Sequence, residues 1–411
     1  MLDGATRVSD MVNRAVELGM PAVALTDHGY MYGIPELGLA CDAVNNAALD
    51  FKQWKHDKTA FAEEDFGEAP EDDKARAQWE RDRAAWEAEG SLEGTKPDPV
   101  IKPIFGCEVY FTPDETLSRD RKPELYHMIL IARNETGYVN LMQTVSEAAT
   151  QGFYYKPRVT LDNLRRHREG LIATSACIAG IIPKCIDRNQ LDEAIRWAET
   201  FRDTFEPGNF YIEIQDHGIT TDRGLTDEQL SRQLIDIAKQ VGVKVIATND
   251  FHYLTREDAP VQDIMMCIGM NSKVDDPNRM RMHGSEFYMK TEEEMRALFP
   301  YCPEACDNTI EIAEKCDVQL EWGKIILPRY PLLDPGETHE SQFRRECEEG
   351  LAKRYGEDWE TRVINGISVK ERFEFEYKVI CDKGFAAYFL IVAEYVRWAK
   401  QNGIGVGPGR G

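Results

Sequence analysis

The chain has 411 residues, enough for roughly two or three domains, and its hydrophobic fraction of 42% supports sizeable cores. Its formal net charge of −23 argues against a protein that coats nucleic acid non-specifically, although a local basic groove or bound metal ions can still hold phosphates. The sequence has no apolar run of about 18 residues, no signal-peptide pattern and no disulfide pattern. We therefore expect a cytoplasmic protein with no membrane partner.

The first predicted elements are a helix, a strand and a polar turn. An apolar periodicity predicts a helix that Ser9 or Asp10 caps and that Gly19 ends. Residues 21–25 then predict a short buried strand, and the turn Thr26-Asp27-His28-Gly29 follows it at once.

Residues 46–100 interrupt this pattern. The stretch is dense in charge, and its middle is typical of a solvated helix in which the charge sign alternates. We interpret it as a charged surface insertion rather than a domain, with a partner-docking helix as the alternative.

Strand-like runs recur after residue 100, and each has polar residues at or near one end. Helical patterns separate them, such as 191–205 and 227–241, the second with Thr226 and Gln229 spaced as a capping box. This alternation predicts an α/β fold with a mainly parallel sheet, and suggests a barrel with its site on the C-terminal face. The strand-like runs are 104–111, 127–132, 171–174, 210–214 and 243–248.

The alternation of strand-like and helical runs ends near residue 275, after which the chain is mainly helical in pattern. We predict a domain boundary there. A strand is predicted over 286–291. Helices are predicted over 292–299, 303–316, 340–355, 368–383 and 388–401.

Seven side chains, most of them at or near strand ends, are candidate metal ligands. They combine carboxylate, imidazole and thiolate groups, a set that suits divalent transition metals better than Ca²⁺ or Mg²⁺ alone. Glu108 is the hardest to explain otherwise, because an unpaired buried carboxylate is costly. Cys177 alone fits a small buried hydrophobe as well, and His28 fits a satisfied turn histidine. The seven are Asp3, His28, Glu108, His127, Cys177, Asp250 and His252.

The last five residues, Gly407-Pro408-Gly409-Arg410-Gly411, form a glycine-rich run with one fixed positive charge. Exposed backbone N–H groups and a guanidinium suit phosphate binding, and a plain turn is the alternative.

Several motifs together resemble the α subunits of bacterial DNA polymerase III, the family C replicative polymerases. They are spread over nearly the whole chain outside the insertion. The motifs are Leu2-Asp3-Gly4-Ala5, Ala24-Leu25-Thr26-Asp27-His28-Gly29, Gly106-Cys107-Glu108-Val109-Tyr110, Asn134-Glu135-Thr136-Gly137-Tyr138, Gly152-Phe153-Tyr154-Tyr155-Lys156-Pro157-Arg158, Ala247-Thr248-Asn249-Asp250-Phe251-His252-Tyr253, Glu286-Phe287-Tyr288, the run 384–400 and the terminal glycine-rich run.

The resemblance implies a polymerase-and-histidinol-phosphatase (PHP) domain over 1–275, followed over 276–411 by the N-terminal part of an α+β polymerase palm. The PHP domain of that family is a distorted β/α barrel with a metal site. In members that keep the ligands, this site looks like a 3′–5′ exonuclease site. The seven candidates above are then its ligands, for Zn, Mn or Fe. Gly407, Gly409 and Arg410 are then residues that help to hold the incoming nucleotide.

Two departures from the family pattern shape these expectations. The family begins with a His-any-His pair before the Leu-Asp-Gly-Ala segment, and this chain lacks the pair and with it the first strand motif. The Asp-any-Asp pair that holds Mg²⁺ for polymerisation is expected beyond Gly411. We therefore expect this fragment to be inactive as a polymerase by itself, whereas its parent is a DNA-directed DNA polymerase.

The expected partners of the parent are primer-template DNA, deoxynucleoside triphosphates and other replicase subunits such as the sliding clamp and clamp loader. Two alternatives remain at this stage: a free-standing metal-dependent PHP phosphoesterase, and a non-catalytic PHP scaffold.

Overall fold

A computed structural model describes residues 4–48, 76, 100–282, 284–323, 330–331, 336–407 and 409. The chain divides into two compact units, Met1–Leu320 and Glu321–Gly411. Residue 275, the predicted domain boundary, falls within the first unit, and the division into 1–275 and 276–411 stays a prediction. The predicted insertion at 46–100 lies almost wholly outside the described residues.

Strands and helices alternate through much of the first unit, as the sequence predicts, although β2 and β3 are consecutive strands and the unit ends in three consecutive helices. The strands are β1 (Ala22–Leu25), β2 (Lys102–Phe111), β3 (Tyr126–Ala132), β4 (Arg158–Val159), β5 (Leu171–Thr174), β6 (Phe210–Ile214) and β7 (Lys244–Ala247). The helices are α1 (Val8–Glu17), α2 (34–48), α3 (Glu135–Thr150), α4 (Leu161–Arg166), α5 (Ile181–Asp187), α6 (Leu191–Thr204), α7 (Asp227–Val241), α8 (Ala259–Met270), α9 (Glu292–Leu298) and α10 (Glu304–Lys315), with a 3-10 turn at Arg256–Asp258.

The seven strands form one sheet in the order β1-β2-β3-β5-β6-β7, with β4 paired to β2. Pairing is parallel except at β3, which runs antiparallel to both β2 and β5. Within the described residues β1 and β7 do not pair, so the sheet is a curled half barrel, consistent with the predicted distorted barrel. β3 runs opposite to its neighbours β2 and β5. Its first residues therefore lie at the edge of the sheet where β2 and β5 end.

The two faces of the sheet carry separate cores. One face packs against helices α3, α6 and α7, where Leu141, Phe201 and Leu234 are almost completely buried. The other face carries Ile172 and Tyr211 among its buried residues, and helix α10 packs against it. Residues that alternate along each strand therefore serve opposite faces, which fixes the pairing register.

Helix α7 begins and ends where its sequence signals predict. Thr226 and Gln229 form a reciprocal capping box, and Gly242 closes the helix in the left-handed conformation. These contacts satisfy backbone groups that would otherwise lack partners at the helix ends.

Two local predictions are wrong. Helix α1 begins at Val8 with Arg7 at the cap position, so Ser9 and Asp10 lie inside the first turn and no side chain caps the helix. The predicted strand at 286–291 is also absent from the described structure, where Tyr288 makes only an isolated bridge with Tyr253. A single bridge leaves this segment without the continuous ladder that defines a strand.

The second unit is small and mainly helical. Phe343, Ala386 and Leu390 form the centre of its core. Its elements are helices α11 (His339–Tyr355), α12 (Val369–Asp382) and α13 (Ala386–Gln401), a 3-10 turn at Trp359–Thr361, and strands β8 (Val363–Ile364) and β9 (Ile367–Ser368). Among the helices of the described residues in either unit, none has both the length and the apolar character needed to cross a bilayer.

Candidate metal centre

The buried carboxylate of Glu108, on β2, contacts two imidazoles. One oxygen is hydrogen-bonded to Nδ1 of His28, just after β1, and Oε2 lies 3.1 Å from Nδ1 of His127, on β3. Burial by itself raises the pKa of Glu108, but hydrogen bonds from His127 and His28 outweigh it and lower the pKa to about 2. The carboxylate is therefore held ionised although it is only 4% exposed.

Cys177 contacts the same imidazole as Glu108. Its Sγ lies 3.5 Å from Nδ1 of His127, whose backbone N–H donates to the carbonyl of Ala179, 3.1 Å away. One ligand atom from each of Glu108, His127 and Cys177 lies within 4.8 Å of the others. We call these three residues the ligand triad. Burial, followed by the charges of Asp250 and Glu108, raises the pKa of the Cys177 thiol well above its usual value.

His252 and Asp250 extend the cluster on the loop after β7. The ring of His28 lies 6.1 Å from that of His127 and 6.2 Å from that of His252, centroid to centroid. Nδ1 of His252 lies 2.9 Å from the carbonyl oxygen of Asp250. Because a carbonyl only accepts, Nδ1 carries a proton, so Nε2 is the ring nitrogen left to bind a metal. Asp250 has a φ of +41°, a strained conformation of the kind that clusters at functional sites.

A second buried carboxylate, Glu213 on β6, was overlooked in the sequence and lines the same cavity as Glu108 and Cys177. It accepts hydrogen bonds from the hydroxyls of Thr174 and Thr248 and, at 2.8 Å, from Nε2 of Gln215. Burial raises the pKa of Glu213, and the hydrogen bonds, which act in the opposite direction, do not cancel this effect. The signal was available, because Glu213 is a carboxylate within an apolar strand, as Glu108 is.

A tight backbone approach fixes the loop that carries His28. Gly29 has a φ of +71°, and a Cβ added there would lie 2.9 Å from Cε2 of Tyr110 and 3.0 Å from Cγ of Pro157. The N–H of Gly29 donates to the carbonyl of Glu108 at 2.7 Å. Glycine is therefore required next to His28 by both conformation and space.

The cluster opens into a cavity of about 950 Å³. His28, Glu108, Cys177, Asp250 and His252 all line it. Its volume lies in the range of pockets that hold small-molecule ligands, about 300–1,000 Å³.

The structure thus brings His28, Glu108, His127, Cys177 and His252 close together, and Asp250 lines the same cavity. Asp3 lies outside the described residues; two residues further on, the N–H of Ala5 donates to the carbonyl of His252 at 2.7 Å. Arg410 is also outside the described residues. A Cβ added at Gly407 or Gly409 would meet no described atom within 4 Å, and the nucleotide-binding role of these glycines stays a prediction.

The sequence matches two family descriptions. The PHP domain matches residues 1–217, and the bacterial DNA polymerase III alpha NTPase domain matches residues 341–411. The chain belongs to the PHP domain family, which is metal-dependent, and the ligand triad fits that requirement.

Along its whole length the chain is similar to proteins named DNA polymerase III subunit alpha. It is 35% identical over 414 residues to the one from Treponema pallidum and 36% identical over 416 residues to the one from Borreliella burgdorferi. It is 31% identical over 471 residues to the one from Thermus aquaticus. Each alignment covers 100% of this chain and only 30–33% of the relative.

Proposed function

We propose that this chain is the PHP-containing part of a DNA polymerase III α subunit, and that its metal centre hydrolyses phosphodiesters at DNA 3′ ends. The whole protein would extend a primer on a DNA template with deoxynucleoside triphosphates and Mg²⁺, in a replicase with a sliding clamp and clamp loader. Similarity to α subunits from one end of the chain to the other supports the first part of this proposal.

The observation that carries the second part is the convergence of Glu108, His127 and Cys177 at one edge of the sheet. Carboxylate, imidazole and thiolate together suit Zn²⁺, Mn²⁺ or Fe²⁺. His28, Asp250 and His252 would add further ligands, as would Asp3. When bound, such a divalent cation lowers the pKa of a coordinated water and neutralises charge on a phosphate ester.

Side-chain and backbone groups of the protein hold the candidate ligands in fixed orientations. The ionised Glu108 fixes the orientation of His28 and His127 through hydrogen bonds. The carbonyl of Asp250 fixes the tautomer of His252. The cavity of about 950 Å³ borders these groups and would hold the 3′-terminal nucleotide of DNA.

A phosphodiesterase assay on the metal-stripped and reloaded chain tests the hydrolytic proposal. We expect Mn²⁺ or Zn²⁺ to restore release of mononucleotides from the 3′ end of 5′-labelled single-stranded DNA, and hydrolysis of bis(p-nitrophenyl) phosphate. The variant Asp250→Asn should lose most of this activity, whereas Asp236→Asn, on the exposed side of α7, should retain it.

Two other outcomes would contradict the hydrolytic proposal. A preference for p-nitrophenyl phosphate over the diester would indicate a phosphomonoesterase. Metal binding without any hydrolysis would indicate a scaffold. The polymerase part has its own test, which is primer extension by the full-length α subunit that contains this chain.

A further inference from the structure

A tight turn beside the metal centre holds an exposed aromatic ring in a strained conformation. The N–H of Tyr154 donates to the carbonyl of Lys156 at 3.1 Å, which closes the turn around Tyr155. Tyr155 has a φ of +62° and is 63% exposed. Positive φ is costly for a bulky residue, and the exposed ring offsets little of that cost by burial. Such strain is typical of a functional position.

The ammonium group of Lys156, in this turn, packs against an aromatic ring that contacts the candidate ligand His127. Its Nζ lies 3.2 Å from the hydroxyl of Tyr110 and 4.8 Å from the centroid of that ring. The ring of Tyr110 in turn packs edge-on against His127, 5.5 Å between centroids. No carboxylate forms an ion pair with Lys156 in the part of the chain that the structure describes.

Arg158 links the segment before this turn to the end of the loop that precedes residues 119–122. Its buried guanidinium donates to the carbonyls of Gly152, Leu117 and Ser118, each at 2.8 Å. The loop continues through 119–122, where Arg119, Arg121 and Lys122 are exposed. In a chain with a net charge of −23, the loop 119–122 is locally basic, because it carries three cations against one carboxylate, Asp120, although Asp114, Glu115 and Glu124 flank it. Arg119 lies against the same turn, with its guanidinium 3.4 Å from the carbonyl of Phe153.

The loop that carries His28 presents a second exposed ring. Tyr30 and Tyr32 stack with their centroids 5.2 Å apart, and Tyr32 is 83% exposed. This loop meets the Tyr155 turn where Gly29 packs closely against Pro157. Aromatic rings and cations therefore occur together on the loops around the site.

We propose that the turn 154–156 and the basic loop 119–122 bind single-stranded DNA and lead it to the metal centre. Lys156 contacts a backbone phosphate and Tyr155 stacks on a base. Aromatic platforms beside a positive groove bind single strands with little sequence preference, because every base presents a π-face. Paired bases are already stacked, so duplex DNA binds more weakly. This inference builds on the proposed phosphodiesterase and assigns positioning residues to it.

Fluorescence anisotropy tests the inference with a labelled oligothymidylate of about 12 nucleotides. Metal is removed with a chelator so that no cleavage occurs. Tyr155→Gly removes the ring while glycine accepts the positive φ, and it should raise Kd by about 5-fold or more. The matched control Asn365→Gly, at a φ of +51° in the second unit, should leave Kd unchanged.

Salt dependence separates a phosphate contact from a structural role for Lys156. Lys156→Gln should reduce the magnitude of the slope of log association constant against log salt concentration by about 0.7. This is the contribution that one neutralised phosphate makes on single-stranded DNA. Lys239→Gln, an exposed charge on α7, should leave the slope unchanged. Thermal unfolding of each variant checks that it remains folded.

The outcomes separate this inference from the hydrolytic proposal. If both variants bind as tightly as the wild type, or if duplex DNA competes equally well, this inference is overturned even where bis(p-nitrophenyl) phosphate is hydrolysed. A wild type that shows no binding overturns it too. If binding depends on Tyr155 and Lys156 but the reloaded wild type hydrolyses no diester, this inference stands and the hydrolytic proposal fails.

Discussion

Oε2 of Glu108 lies 3.1 Å from Nδ1 of His127, and the two residues reach each other from antiparallel neighbouring strands. This contact depends on the reversal of β3. In a sheet with every strand parallel, a residue at the start of β3 would lie at the opposite edge from the ends of the other strands. The reversed strand therefore makes a ligand set from residues that are distant in sequence.

Replacing the thiol of the triad should change which metal the site prefers. We expect Cys177→Ser to weaken Zn²⁺ binding by about 10-fold or more and to affect Mn²⁺ much less, because a thiolate favours the softer ion. Calorimetric titration of the metal-stripped protein with each ion measures the effect. Cys347→Ser, in the second unit, is the control. An unchanged preference between the two ions would exclude Cys177 as a ligand.

Gly29→Ala should destabilise the protein more than Gly19→Ala. Both glycines have a φ near +70°, but a Cβ at Gly19 meets nothing within 4 Å. Gly19→Ala thus measures the conformational cost alone, about 1–2 kcal/mol. Gly29→Ala adds the clash with Tyr110 and Pro157, about 1–3 kcal/mol more. Urea unfolding gives both values, and equal losses would contradict the close packing at Gly29.

The stabilising effect of Glu147 should depend on pH. Hydrogen bonds from Arg166 and then His167 lower the pKa of Glu147 from 4.5 to about 2. A depressed pKa in the folded state means that the stabilisation is present above about pH 4.5 and is lost as pH falls toward 2. We expect wild type to exceed Glu147→Gln in unfolding free energy by roughly 1 kcal/mol or more at pH 7.

This advantage should shrink as pH falls from about 4.5 toward 2, as urea unfolding at a series of pH values would report. The exposed Glu199, on α6, provides the control substitution Glu199→Gln. If the Glu147→Gln difference does not change with pH, the ion pair with Arg166 does not hold in solution.

Local signals in the sequence predicted the regular elements well. β5, β6 and helix α7 have the predicted bounds. Their signals, which are hydrophobic periodicity and, for α7, the capping box at Thr226, each involve only a few neighbouring residues. Where the local signal was ambiguous, tertiary contacts decided the outcome. Ser9 and Asp10 both suit a cap, yet α1 begins before them.

The sequence named candidates for the site but not their geometry. Residue type and position near strand ends selected His28, Glu108 and Cys177, and their role as ligands stays a prediction. The reversal of β3, which brings His127 to the edge where β2 and β5 end, depends on pairing between distant segments. The contact of Lys156 with Tyr110 has the same origin. Local sequence patterns do not encode such long-range contacts.

Metal binding by the wild type and by Glu108→Gln tests the central claim most directly. Equilibrium dialysis of the metal-stripped chain against Zn²⁺ or Mn²⁺, followed by metal analysis, gives stoichiometry and affinity. We expect at least one tightly held ion in the wild type and in Glu199→Gln, and an affinity lower by about 10-fold or more in Glu108→Gln. Equal stoichiometry and affinity in Glu108→Gln and the wild type would contradict a metal centre built around this carboxylate.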